Sequence, residues 1–289
     1  MSKIKNENSN KELQFKTLEE ATGKIPYNML NDYIFRVVLE KNPEALKNII
    51  SAVLHTNPAT IKKLTVKNPI KEGEVPTDKS YRFDISIIFN DNSNTDIEMQ
   101  VLNEDNWTSR SLHYLCREYE QGLIKGDNYN SDHAAYQIGF LNYTLFPEHA
   151  KFFSQYEMAD IEDGFKFNRN FAIFVIDLGQ IEMATKADKD SGLQKWCRLF
   201  KAQTYDELRR LSREDKTMST VANDVFDKNA DFATRKLAQD RADYIYWESR
   251  KDKKMADLEK ANAELIKSNS EKEALIEKLQ AELASLKSN

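Results

Sequence analysis

The chain has 289 residues, 40% of them hydrophobic, enough to bury the core of one large domain or two ordinary ones. Only 8 Gly and 6 Pro exclude collagen-like and Pro/Gly-rich disordered classes. With 47 acids against 42 Lys and Arg the formal net charge is -5, so bulk charge does not hold nucleic acid, and a phosphate partner needs a local basic patch or a metal. Residues 1–24, rich in Lys, Asn and Glu, are expected to form a mobile tail, and their polar start, without the apolar core of a secretory signal, points to the cytoplasm. Asn31 and Asp32 then precede Ile34, Val37, Val38, Leu46, Ile49, Ile50, Val53 and Leu54. That spacing predicts one broken helix or two short ones, interrupted near Asn42 and Pro43. Residues 61–70 read as a strand, and Tyr81–Phe89 and Thr95–Leu102 as the two arms of a hairpin around the turn cluster Asn90–Asn94. Helical spacing returns from Trp107 to Lys125 with a stop at Gly126-Asp127-Asn128, and buried strands are predicted at Ala135–Phe146 and Asn170–Asp177.

Mixed helical pieces follow through residue 227, and from Ala230 to the end there is neither Gly nor Pro. Within this last helix a heptad register places Met255, Asn262, Asn269, Ile276 and Leu283 at a, and Leu258, Leu265, Lys272, Leu279 and Leu286 at d. A coiled coil over 255–286 and a homodimer are therefore expected; the alternative is a solvated Glu/Lys/Ala helix that never pairs. The expected division is a tail over 1–24, a core domain over 25–180, a helical accessory region over 181–229 and the long helix over 230–289. The longest apolar run, Phe171–Leu178, is far short of the roughly 20 residues that cross a bilayer, so no membrane segment is expected. Cys116 and Cys197 are isolated and have no zinc-site spacing, which excludes a disulfide framework.

The hairpin carries the chemistry, because side chains alternate faces and antiparallel partners keep their register. The turn is expected to set residue 84 opposite 100 and residue 86 opposite 98. Odd positions Tyr81, Phe83, Ile85, Ile87, Phe89, Ile97, Met99 and Val101 then share an uncharged face that must point into the core. Even positions carry Arg82, Asp84, Ser86, Ile88, Asp96, Glu98, Gln100 and Leu102, a mainly polar face with Asp84 and Glu98 in reach of each other. Two neighbouring acids repel unless a cation lies between them, and carboxylates suit a hard divalent ion; any half-exposed hairpin also has a polar face.

Arg82-Phe83-Asp84 followed by Glu98-Met99-Gln100 resembles the Asp…Glu-x-Lys core of PD-(D/E)XK nucleases. The order of Asn31-Asp32-Tyr33-Ile34-Phe35-Arg36, Tyr81–Asp84, Ile97–Gln100 and the helix Arg110–Gly126 with Gly126–Tyr129 is similar to the Rpn (recombination-promoting nuclease) family, over roughly residues 24–180. The resemblance implies an α/β fold with a restriction-endonuclease-like αβββαβ core, here followed by the helical extension and coiled coil, and metal-dependent cleavage of DNA. It makes Asp84 and Glu98 metal ligands, completed by the Met99 carbonyl, with Asp32 as a further, helix-borne acid; an Asp at a helix start is also an ordinary cap. Mg²⁺, or Mn²⁺ in its place, would polarise the scissile phosphate and Gln100 would position the attacking water. Gln100 stands where most PD-(D/E)XK enzymes have Lys, whose charge Gln lacks. Arg110, His113 and Arg117, at i, i+3 and i+7, form a helix face that either meets DNA phosphates or is simply solvated. A second basic stretch, Lys195, Arg198, Lys201, Arg209, Arg210, Arg213 and Lys216, either contacts DNA or, with Trp196 and Phe200, belongs to core packing. The competing function is a catalytically weak or inactive nuclease-fold adaptor that dimerises or recruits a partner through its coiled coil.

Overall fold

The computed structural model describes residues 15–67, 85–90, 93–101, 103, 106–121, 133–213 and 215–287. The expectations for Asp84, for the start of the first hairpin arm, for Leu102 and for the Gly126-Asp127-Asn128 stop lie outside the described residues. Of the two alternatives left open by the spacing, the chain forms two short helices, α1 (Asp32–Leu39) and α2 (Pro43–Val53). The Asn31 side chain caps α1 by accepting from Ile34 N at 3.1 Å. Pro43 opens α2, where its missing N–H costs nothing, and Asn42 fills the joint by donating to Val38 O at 2.7 Å.

The strands are β1 (Leu64–Val66), β2 (Ile85–Phe89), β3 (Ser93–Gln100), β4 (Ala134–Leu141), β5 (Phe153–Glu157) and β6 (Phe171–Asp177). They form a sheet in the order β1-β2-β3-β4-β6-β5. The first three pair antiparallel, α3 (Trp107–Gln121) lies between β3 and its parallel neighbour β4, and β6 continues the parallel set. β5, an edge strand, pairs antiparallel with β6 and was not predicted, because Ser154, Gln155 and Glu157 blur its apolar alternation. β4 stops at Leu141, short of the expected Phe146; beyond it Asn142 N donates to Gln100 O at 2.9 Å, at the end of its partner strand.

The hairpin register corrects the expected one. Ile85 lies opposite Ile97 and Ser86 opposite Asp96, not opposite residue 98. The turn is tighter because Asn90 takes a left-handed φ of 53° and Ser93 and Asn94 are already strand. Asn90 is fixed there by accepting from Lys62 N at 2.8 Å and donating to Thr60 O at 2.9 Å. A shift of two residues leaves every side chain on its expected face. Ile85, Ile87, Phe89, Ile97 and Met99 are all buried in the main core, with Phe35, Phe140 and Phe200. The Phe200 ring stands edge-on to Phe35 at 5.3 Å and to Phe140 at 5.4 Å.

Two further boundaries differ from expectation. Residues 15–24 are not a free tail: Leu18 and Ala21 are buried, and Arg209 donates to the carbonyls of Leu18 and Ala21 at 2.7 and 2.5 Å. Nor is the region after residue 180 a separate body. The helices α4 (Lys186–Asp190), α5 (Leu193–Lys201), α6 (Tyr205–Ser212) and α7 (Lys216–Ala230) contribute Trp196, Phe200, Leu208 and Phe226 to the main core, and one compact unit extends to Ala242. The long helix α8 (Phe232–Lys287) starts in this unit, and Asp243–Asn289 forms a second one. No described helix is long and apolar enough to cross a membrane.

Asp231 precedes α8 and accepts from Thr234 N at 2.7 Å; hydrogen bonds from Thr234, side chain and backbone, hold its carboxyl below the usual range. Asp231→Ala is expected to cost about 1 kcal/mol at neutral pH. A depressed carboxyl contributes stability that is present above its unfolded value and lost as pH falls through the folded one. Urea unfolding at pH 7 and at about pH 3 should therefore show the gap between parent and variant narrowing with acid.

Candidate active site

The even-numbered face of β3 is polar, as expected, but it is not half-exposed. Asp96, Glu98 and Gln100 are buried, at 1%, 6% and 9% exposure, because α3 packs over that face. Trp107 and Leu115 of α3 join Ala135 and Leu141 of β4 and Ile173 and Val175 of β6 in a second apolar cluster. Burying carboxylates requires partners, and α3 brings them. Glu98 Oε1 accepts from the Trp107 indole N–H, and Glu98 Oε2 meets the Arg110 guanidinium at 3.1 Å. Trp107 and Arg110 lie three residues apart, so the first turn of α3 presents both donors on one side.

Gly139 explains how the indole gets there. It is the β4 partner of Glu98, and a Cβ at this position would lie 2.3 Å from Trp107 Cζ2. Only a residue without a side chain lets the edge of the ring come this close to the sheet with its N–H on Glu98. Gly139→Ala should therefore displace Trp107, destabilise the chain by about 1–3 kcal/mol and loosen Glu98. Thermal unfolding together with the intrinsic fluorescence of the three tryptophans, of which Trp107 is the one beside Gly139, checks this; an unchanged melting temperature and spectrum would refute it.

Farther along α3, Glu118 is 1% exposed and binds Lys67 Nζ and Ser86 Oγ, the latter at 3.2 Å, while its carbonyl accepts from Asn94 Nδ2 at 3.0 Å. The sequence reading missed Glu118 and Lys67. The available signal was that Trp107, Ser111, Tyr114 and Glu118 repeat at i, i+4, i+7 and i+11, which puts an acid on the buried face of the helix. Gln137 of β4, opposite Asp96 and fully buried, adds an amide with no hydrogen-bond partner among the described residues.

The other expected site residues fall as follows. Met99 buries its side chain in the main core, between Glu98 and Gln100 on β3. Of the three α3 residues, Arg110 turns to Glu98, while His113 is exposed and Arg117 lies over the Tyr114 ring at 5.3 Å, 42% exposed. Asp32 is clamped by Arg241 of α8, whose Nε and Nη2 reach Asp32 Oδ2 at 2.8 and 2.6 Å. No group of three or more His, Cys, Asp or Glu able to hold a metal is present among the described residues, and Asp84 is not among them. Much of the basic stretch from Lys195 to Lys216 serves the fold: Arg198 pairs with Glu182 at 2.9 Å, Lys201 donates to Leu178 O at 2.6 Å, and Arg209 holds backbone carbonyls.

A family model described as PD-(D/E)XK nuclease family transposase matches residues 29–263. No curated protein and no solved structure matches the chain. The mixed α/β architecture, a six-stranded sheet with helices, is consistent with the PD-(D/E)XK nuclease fold.

Proposed function

Because the chain belongs to the PD-(D/E)XK nuclease family transposases, we propose that it is a metal-dependent DNA endonuclease that hydrolyses phosphodiester bonds in recombination, mobile-element movement or defence. The observation that carries this reading is the buried Glu98 carboxylate, held between Trp107 and Arg110 on the strand that also bears Gln100. A buried carboxyl held in place by two aimed donors presents hard oxygens at a fixed position, which suit a divalent ion.

In this reading Asp84, Glu98 and the Met99 carbonyl hold Mg²⁺, with Mn²⁺ as a substitute. Such an ion, when bound, neutralises phosphate charge and makes water a better nucleophile at neutral pH. Gln100 orients the water through hydrogen bonds, and Arg110, 3.1 Å from Glu98, brings the positive charge that Gln100 lacks. His113 and Arg117 face solvent on the same helix and are assigned to DNA phosphates. Two chains pair through the coiled coil over 255–286, where Met255, Leu258, Leu265, Ile276 and Leu279 are each at least half exposed in the single chain. The enzyme works in the cytoplasm.

Nicking of supercoiled plasmid with Mg²⁺, Mn²⁺ or EDTA, beside Asp84→Ala and Glu98→Ala, tests the reading. Metal-dependent nicking lost in both variants is the expected result. No nicking of any DNA form with either metal would sink it and leave the adaptor.

A further inference from the structure

The acidic chain still needs a cationic surface for DNA, and α8 carries one. The segment Tyr246–Lys254 holds Arg250, Lys251, Lys253 and Lys254 against two acids, Glu248 and Asp252. At about 100° per residue, Tyr246, Trp247, Arg250, Lys251, Lys253 and Lys254 fall within an arc of about 160°, and neither acid occupies a position inside it. Tyr246 is 50% and Trp247 65% exposed. Arg250 stacks over the Tyr246 ring at 5.4 Å and donates to its hydroxyl at 2.8 Å, which holds a guanidinium and an aromatic plane side by side. Lys251 lies 3.6 Å from Glu248 in an exposed contact, which binds it weakly. Lys253 and Lys254 are exposed and make no ion pair among the described residues.

We propose that this face of α8 binds the phosphate backbone of nucleic acid, with Trp247 and Tyr246 as stacking surfaces. Cations interleaved with aromatic rings on one face suit a polyanion that also presents flat bases. A helix lying on a membrane instead separates its cations from its apolar residues on opposite faces, and here they are mixed. The position along α8 agrees. Carried back from Met255, the heptad register puts Glu248 and Lys251 at a and d, so the apolar seam ends where the cationic face begins. Two chains paired as proposed above would emit two such faces from one end of the seam, the order in which a basic region precedes a zipper in DNA-binding helices. The proposal rests on the nuclease reading for its choice of DNA.

Fluorescence anisotropy of a labelled duplex and of its single strand, with the full chain in EDTA across a salt series, tests it. The variant R250Q/K251Q/K253Q/K254Q should reduce the slope of log affinity against log salt by about 2–4. Trp247→Ala should weaken binding about tenfold and leave that slope in place. Circular dichroism confirms that both variants keep their helix content. An unchanged slope in the quadruple variant overturns the proposal, as does a parent that binds neither DNA form. Charge-dependent binding to phosphatidylserine vesicles but not to DNA overturns it in favour of a lipid surface. Plasmid nicking separates the two readings. Glu98-dependent nicking with an unchanged slope removes the helix surface and keeps the nuclease, whereas a reduced slope without nicking does the reverse.

Discussion

Glu98→Gln is expected to lower plasmid nicking by at least about 10²-fold while the chain stays folded. Glutamine has the shape of glutamate but not its charge, so whatever cation the site gathers loses its fixed anchor. The replacement also disturbs the two donors. The Trp107 N–H and the Arg110 guanidinium each point at one oxygen of Glu98, and an amide can accept from only one of them while its NH₂ faces the other. A stability loss of about 1–3 kcal/mol follows from leaving a donor unmatched, discounted because the Arg110 side chain is 22% exposed and water reaches it. The two effects separate experimentally. Urea unfolding reads the stability loss, and nicking per folded molecule reads the chemistry. If Glu98→Gln nicks like the parent at equal folded concentration, Glu98 is a structural acid and the site lies elsewhere.

The part of this arrangement that was legible in the sequence is the part governed by periodicity. Ile85, Ile87, Phe89, Ile97 and Met99 follow the two-residue repeat of a strand, and all five are in the core. The register was misjudged by two residues, because the left-handed Asn90 is a tertiary choice, fixed by Thr60 and Lys62 from a distant segment. What covers the polar face was also hidden. Alternation says that Asp96, Glu98 and Gln100 share a side but not that α3 seals it, and Gly139 acquires meaning only against Trp107. Arg110 was read as a phosphate ligand from its helical spacing alone, and the spacing does not say which of three cations turns inward to an acid. Arg209 shows the same limit: in sequence it is one of seven basic residues, in the fold it ties down Leu18 and Ala21. The packing of residues 15–24 therefore depends on a partner almost two hundred positions away.

Asp32 is the acid whose role the fold most sharply divides. Its carboxylate binds Arg241 through both Nε and Nη2 and also accepts from Tyr33 N at 2.9 Å, with side-chain exposures of 10% for Asp32 and 22% for Arg241. Two parallel charge-assisted hydrogen bonds fasten the start of α1 to the start of α8. Breaking a fully buried pair by removing one partner costs about 3–5 kcal/mol, and partial exposure brings the expectation for Asp32→Ala to about 2–3 kcal/mol. Arg241→Ala should cost a similar amount, and the double variant less than the sum of the two, since the second replacement removes a charge already stranded by the first. Chemical denaturation of the four proteins measures this coupling, and strictly additive losses would refute the clamp. The same set decides whether Asp32 also takes part in cleavage. A purely structural clamp predicts that both single variants lose nicking only in proportion to their loss of folded protein. If Asp32→Ala abolishes nicking under conditions where Arg241→Ala retains it, the carboxylate acts on the reaction itself, and Arg241 is then the residue that holds it in place.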